Sequence, residues 1–127
     1  FEQREEGKEL METNSRKFGT PGIISLTGDF MEADHNTLPA PDAVFIGGHG
    51  GQMLPILKKV SRHLSSNGII VFNAVSPESE ILFHEGVRHA GLQLVGKTSI
   101  TIDNNNTIHV LSASFQNADN HSTIQSL

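Results

Sequence analysis

Cysteine is absent from this 127-residue sequence, and so are tryptophan and tyrosine. Without thiols the chain can form no disulfide, no thiolate nucleophile and no cysteine-ligated zinc centre. Nine Lys and Arg against fourteen Asp and Glu leave a formal charge of −5. No basic cluster exists to displace phosphate counterions, and the aromatic content offers little for base stacking, so nucleic acid is not an expected partner. Nor does any stretch approach the roughly 18 consecutive apolar residues of a membrane span. No basic segment followed by an apolar stretch opens the chain, and a membrane partner is not expected either. What remains is a chain that is 36% hydrophobic, with a mean hydropathy of −0.21. Its length suits one domain with its own core. A cytoplasmic protein with a small-molecule site is the expectation. The chain opens Phe1-Glu2-Gln3-Arg4, without Met, which reads as a start inside a structured region.

Turn residues punctuate the rest. Gln3 to Phe18 is rich in helix formers, sets Leu10, Met11 and Phe18 on one face, and stops at Gly19 and Pro21. Ile23-Ile24-Ser25-Leu26 predicts a short strand ending at Gly28-Asp29, and residues 31–41 a loop or single helical turn. Ala43-Val44-Phe45-Ile46, apolar on both faces, predicts a buried parallel strand. It breaks at Gly47-Gly48-His49-Gly50-Gly51. Residues 52–65 show helical spacing of Met53, Leu57, Val60 and Leu64, with Pro55 tolerated in the first turn and Gly68 as the expected cap. Ile69-Ile70-Val71-Phe72 is the next buried strand. Ser76-Pro77-Glu78 supplies an N-cap hydroxyl, an N1 proline and an acid for a helix running to about Ala90 and stopping at Gly91. Leu92 to Ile102, a turn at Asp103-Asn104-Asn105-Asn106, and Ile108 to Phe115 predict a terminal antiparallel hairpin. Residues 116–127 are polar and form an expected tail beyond a domain over residues 1–115. No internal repeat is present. Strands alternating with helices predict an α/β, doubly wound sheet with helices on both faces.

The glycine loop after the Ala43–Ile46 strand carries the strongest functional signal, since ligands of doubly wound sheets bind at the carboxyl ends of strands. Four glycines in five positions let a bulky planar ligand reach the backbone. A tight turn alone would need only one or two. His49 at the loop centre is the acid–base candidate, because imidazole titrates near neutrality; the plainer alternative is an exposed loop histidine. The other histidines show no metal-ligand spacing, and no metal is expected. Glu2 and Asp29, at two strand ends, fit recognition of a ribose diol and an adenine amino group; singly, each would be an ordinary solvated acid. Asn73, after the Ile69–Phe72 strand, could orient a substrate or cap a turn.

Taken together, Phe1-Glu2-Gln3-Arg4-Glu5, Thr27-Gly28-Asp29, residues 41–51 and Asn73-Ala74-Val75 resemble the decarboxylating precorrin-6Y C5,15-methyltransferase family, in its small methyltransferase/decarboxylase domain. The resemblance runs over about residues 1–113, and its most specific piece is the strand followed by Ile-Gly-Gly-x-Gly-Gly. It implies a Rossmann-like class I S-adenosylmethionine-dependent methyltransferase fold of strand order 3-2-1-4-5-7-6. It implies methylation and decarboxylation of a precorrin tetrapyrrole in cobalamin biosynthesis. By similarity, Glu2 would bind the cofactor's ribose hydroxyls, Gly28, Asp29 and Phe30 would border adenine, and Gly47 would adjoin the cofactor. Gly48, His49, Gly50, Gly51 and Asn73 would face the tetrapyrrole. The chemistry asks the protein mainly to align an electron-rich macrocycle with a sulfonium methyl; His49 would manage a proton during loss of CO2.

Two departures accompany the resemblance. His49 stands where family members often carry a small hydroxyl residue. The first strand and its Gly-x-Gly-x-x-Gly turn, which hold the cofactor's methionine moiety, are missing. That strand is central in the family order, so its loss opens buried sheet edges. The chain by itself is therefore expected to bind S-adenosylmethionine poorly, to be inactive as a fragment, and to need rearranged strand pairing or a partner chain, as in a homo-oligomer, to cover the exposed edge. The rival readings are another class I methyltransferase with a different small substrate and a non-catalytic interaction fragment. An esterase lacks its Gly-x-Ser-x-Gly elbow here, and an NAD-binding module lacks its phosphate fingerprint.

Overall fold

The computed structural model describes residues 5–17, 19, 29–33, 38–104 and 106–116. They fall in two compact units, residues 1–38 and 39–127. The first contains α1 (Glu5–Lys17). Gly19 closes it as expected, with φ +70° and its N–H donating to the Arg16 carbonyl at 3.3 Å. The expected apolar face is only partly realised: Met11 is half-buried, but Leu10 is 62% exposed. The strand expected at Ile23–Leu26, together with Glu2, Phe18 and Gly28, lies outside the described residues.

The second unit contains β1 (Ala43–Ile46), α2 (Met53–His63), β2 (Ile69–Ala74), α3 (Pro77–His89), β3 (Leu92–Asp103) and β4 (Asn106–Phe115). The sheet order is β1-β2-β4-β3. β1 runs parallel to β2, with Ile46 opposite Phe72; β4 is antiparallel to both β2 and β3. Numbered as in the seven-strand order above, this is the 4-5-7-6 half, with β4, the second strand of the expected terminal hairpin, inserted between β2 and β3.

Alternation along β2 buries Ile70, Phe72 and Ala74 and leaves Ile69 and Asn73 exposed. On the buried side, Phe72 stacks on Phe83 of α3, ring centroids 5.3 Å apart. α2 lies alongside α3 on this face, sealing Met53, Leu57, Val60 and Leu64 at the predicted spacing. The two helices approach closely because position 86 has no side chain: a Cβ on Gly86 would stand 2.4 Å from Leu57 Cδ1.

Local chemistry explains the helix ends. At α3, the Ser76 hydroxyl accepts from the Ser79 N–H at 3.2 Å. The Ser79 hydroxyl accepts from the Ser76 N–H at 3.3 Å, a reciprocal cap that satisfies two otherwise orphaned donors. Gly91 ends the helix with φ +75°. The expectation for Gly68 is corrected. The cap of α2 is Leu64, in extended conformation, and Gly68 is required because a Cβ there would lie 2.5 Å from Leu64 Cγ.

A charged cluster ties α3 to the hairpin. Lys97 Nζ donates to Glu80 Oε1 at 2.7 Å, and His84 Nε2 lies 3.6 Å from the same oxygen. Beside it the Ser99 hydroxyl meets His109 Nδ1 at 2.8 Å. The Lys97 hydrogen bond holds the Glu80 carboxyl below its ordinary value; partial burial opposes this, and the Lys97, His109 and His84 charges add to it.

Two outcomes follow. Gly86→Ala gains helix propensity (about 1 kcal/mol) but overpacks the fully buried Leu57, at a cost of about 1–3 kcal/mol. Net destabilisation is expected in urea unfolding; in a Leu57→Ala background, itself about 2–5 kcal/mol less stable, adding Gly86→Ala should no longer destabilise. Lys97→Met should cost about 0.2–1 kcal/mol at neutral pH, as for a largely exposed ion pair. Because the folded Glu80 value is depressed, the pair's contribution is full above the unfolded carboxyl pKa and is lost as pH falls through the folded one. The unfolding midpoints of the two proteins should therefore converge in acid.

Candidate functional site

β1 and β2 are parallel and in register, so the segments leaving their carboxyl ends emerge together, where an open α/β sheet binds ligands. From β1 comes the 47–51 loop. Its glycines have separable causes. Gly50 and Gly51 have φ of +54° and +79°, left-handed values that an L side chain adopts at a cost. Gly47 and Gly48 have no such φ. A Cβ on Gly47 would make an ordinary 3.6 Å contact with Phe45 Cε1, and one on Gly48 would meet nothing within 4 Å. Neither backbone conformation nor packing asks for glycine at these two positions.

The left-handed pair bends the chain back on His49. The Gly51 N–H donates to His49 Nδ1 at 3.1 Å, and the Gln52 N–H donates to the His49 carbonyl at 2.8 Å. The imidazole stands edge-on to the Phe72 ring, centroids 6.0 Å apart and planes at 72°. His49 is thus half-buried and held by backbone on one side and an aromatic ring on the other. α2 begins at Met53, directly after its N-cap Gln52, which makes no side-chain cap hydrogen bond, so the first N–H groups of the helix are left without an intrahelical partner.

Asn73 lies inside β2, opposite Val110 of β4, rather than after the strand. A turn-capping role is thereby replaced by a place in the sheet. Its exposed side chain is on the face opposite Phe72, at the same end. Asp29 and Phe30 belong to the 1–38 unit. There the Asp29 carboxylate accepts from the Met31 N–H at 2.9 Å, and its carbonyl accepts from the N–H groups of Glu32 and Ala33 at 3.1 and 3.2 Å. Asp29 therefore opens a helical turn over residues 29–33. The structure brings Gly47, Gly48, His49, Gly50 and Gly51 into one loop after β1, whereas Asn73, near the same end of β2, faces away from the side on which His49 meets Phe72. Sequence reasoning missed Phe72 as the support of His49, although its burial was legible from the apolar run. Among the described residues no group of three His, Asp or Glu side chains is placed to hold a metal.

The family model for the precorrin methyltransferase domain matches residues 1–114. The chain belongs to this family. A curated relative from Sinorhizobium sp, a precorrin-6Y C(5,15)-methyltransferase [decarboxylating], is 37% identical over 90 residues. Those residues are 71% of this chain and 20% of the relative. A crystal structure of precorrin-6y C5,15-methyltransferase from Geobacter metallireducens GS-15 superposes with a TM-score of 0.69 at 25% identity. That match covers 90% of this chain and 64% of the other. The C-terminal domain of the Rhodobacter capsulatus precorrin-6Y C5,15-methyltransferase gives 0.59 at 28% identity, covering 91% and 66%. The chain therefore spans a fifth of the curated relative's length. This precorrin methyltransferase domain has the class I S-adenosylmethionine-dependent methyltransferase fold, and no described helix is long and apolar enough to cross a membrane.

The loop glycines give a direct test. Gly50→Ala and Gly51→Ala should each cost about 1–2 kcal/mol through the left-handed backbone. Gly47→Ala and Gly48→Ala should stay within about 0.5 kcal/mol of the parent in denaturant melts. Equal destabilisation at all four positions would contradict this division.

Proposed function

We propose that this precorrin methyltransferase domain acts in S-adenosylmethionine-dependent C-methylation, with decarboxylation, of a precorrin tetrapyrrole in cobalamin biosynthesis. The observation that carries this reading is the bare backbone at Gly47 and Gly48. Glycines that neither the fold nor the packing requires fit a loop against which a broad, flat molecule rests. The family and the Sinorhizobium, Geobacter and Rhodobacter relatives support the same reaction.

In this reading Glu2 holds the cofactor ribose, Gly28, Asp29 and Phe30 border adenine, and Gly47 adjoins the cofactor where the two reactants meet. Gly48, His49, Gly50, Gly51 and Asn73 line the tetrapyrrole side, with His49 in contact with substrate. S-adenosylmethionine, when bound, supplies an electrophilic methyl group. The chain's own task is alignment: the loop backbone admits the macrocycle, and the pinned imidazole fixes one of its polar groups. Holding two reactants in attack geometry can account for roughly 7–11 kcal/mol of barrier lowering, so few catalytic side chains are needed. β1 is the edge of the described sheet, with Phe45 61% exposed. This accords with a second chain covering that edge and with a homo-oligomer as the working form.

The test is transplantation. Replacing the matching segment of the Sinorhizobium enzyme with this chain should yield a protein that transfers labelled methyl from S-adenosylmethionine to precorrin-6Y and releases CO2. Gly48→Val in that chimera should lower the rate at least tenfold with an unchanged melting temperature. The 127-residue chain alone should show no turnover. A folded chimera that binds S-adenosylmethionine and leaves precorrin-6Y unmodified would overturn the substrate assignment.

A further inference from the structure

We infer that the neutral His49 imidazole is held as the tautomer protonated on Nε2, and that Nε2 serves as a hydrogen-bond donor to a substrate carboxylate rather than as a proton acceptor. The inference deepens the proposed function and rests on it for the identity of the ligand, though not for the tautomer.

A backbone N–H can only donate. The Gly51 N–H that approaches His49 Nδ1 at 3.1 Å therefore requires a lone pair on Nδ1, and the ring proton of the neutral imidazole must sit on Nε2. The lock is built into the loop. Gly50 and Gly51, at φ +54° and +79°, turn the Gly51 amide back toward the side chain two residues earlier. An edge contact with Phe72, itself stacked on Phe83 and buried with it, is a second restraint on the ring. Nε2 is left with a hydrogen and no lone pair, so it can give a hydrogen bond but cannot abstract a proton.

What such a donor recognises is an oxygen acceptor, and an anionic one most strongly, since charge assistance roughly doubles a hydrogen bond's strength. Its surroundings carry no competing positive side chain within the loop: residues 47, 48, 50, 51 and 52 are glycines and one glutamine. A single directional donor in a side-chain-free loop orients one carboxylate of a larger flat molecule. An ammonium or a second imidazole would instead attract any anion from a distance.

Two variants separate the ring nitrogens. His49→Asn keeps an acceptor near the Nδ1 position for the Gly51 N–H and removes the distal donor. His49→Gln places an amide N–H near the Nε2 position. The full chain is labelled with 15N-histidine, and His49→Ala identifies the His49 signals. Nitrogen shifts of an Nε2–H tautomer are expected at neutral pH; an Nδ1–H tautomer overturns the inference. The chain is then titrated with uroporphyrin, a polycarboxylate tetrapyrrole, and with its methyl ester. Wild type should prefer the free acid and show movement of the Nε2 signal on binding. His49→Asn should weaken acid binding about tenfold, and His49→Gln should stay within about threefold of wild type. Equal affinities for His49→Asn and wild type would overturn the donor role. Failure to bind uroporphyrin with an Nε2 signal that still responds to acetate would reject the tetrapyrrole reading and retain the donor. No Nε2 response to either rejects the donor itself.

Discussion

The contact of Phe72 with Phe83 is the interaction on which the carboxyl end of this sheet depends. Both rings are removed from solvent, and they stack at 5.3 Å. Such a pair contributes roughly 0.5–1.5 kcal/mol beyond the area it buries, and truncating either ring in a packed core would cost about 3–5 kcal/mol. Position matters as much as strength. Phe72 sits two residues before the end of β2, so the stack fixes α3 against the strand just below the level at which the glycine loop emerges. His49 then meets the outer edge of the same aromatic column. A loop nearly devoid of side chains acquires one rigid side chain because the core reaches up to meet it.

The inserted strand β4 flanks this seam. β4 lies between β2 and β3, and its Leu111 and Ala113 are fully buried opposite Phe72 and Ile70. Leu111 thus pairs with the large Phe72 and the small Ala113 with Ile70. The closeness of α2 and α3 is made possible by Gly86, whose missing side chain is the space that Leu57 occupies.

Most of the 39–127 unit was legible in the sequence because its signals are local. Ser76 and Pro77 announce α3, and Gly19 and Gly91 end helices with the left-handed φ that a C′ glycine supplies. The apolar runs at 43 and 69 both read as strands, but the expectation of a buried strand is corrected at β1, where Ala43 and Phe45 are exposed because β1 is the edge of the described sheet. What failed to show depends on non-local geometry. Gly68 looked like a cap and is instead a clearance for Leu64. Asn73 looked like a turn residue because the apolar run stops before it, yet pairing with β4 carries the strand on to Ala74. The Ser99–His109 pair could not be read from the turn at 103–106. β3 shifts register between Thr101 and Asp103 and again between Leu94 and Gly96, and a bulge changes which residues face each other without marking the sequence. At the site, the glycine loop and His49 were evident from composition. The fixed orientation of His49 was not, since it requires the fold of residues 50–51 and a phenylalanine 23 positions away.

The division among the four loop glycines bears on how this protein tolerates genetic variation. Cellular surveillance responds to the unfolded fraction, and a loss of 1–2 kcal/mol is enough to lower abundance several-fold. Variants at Gly86 or Gly51 would be cleared and so expose themselves as scarcity. Positions 47 and 48 make no demand on folding, so a substitution there leaves a long-lived chain at normal concentration, with the surface assigned to ligand under the proposed function altered. On the proposed function, damage at positions 47 and 48 is therefore silent to proteostasis and visible only as an accumulating substrate.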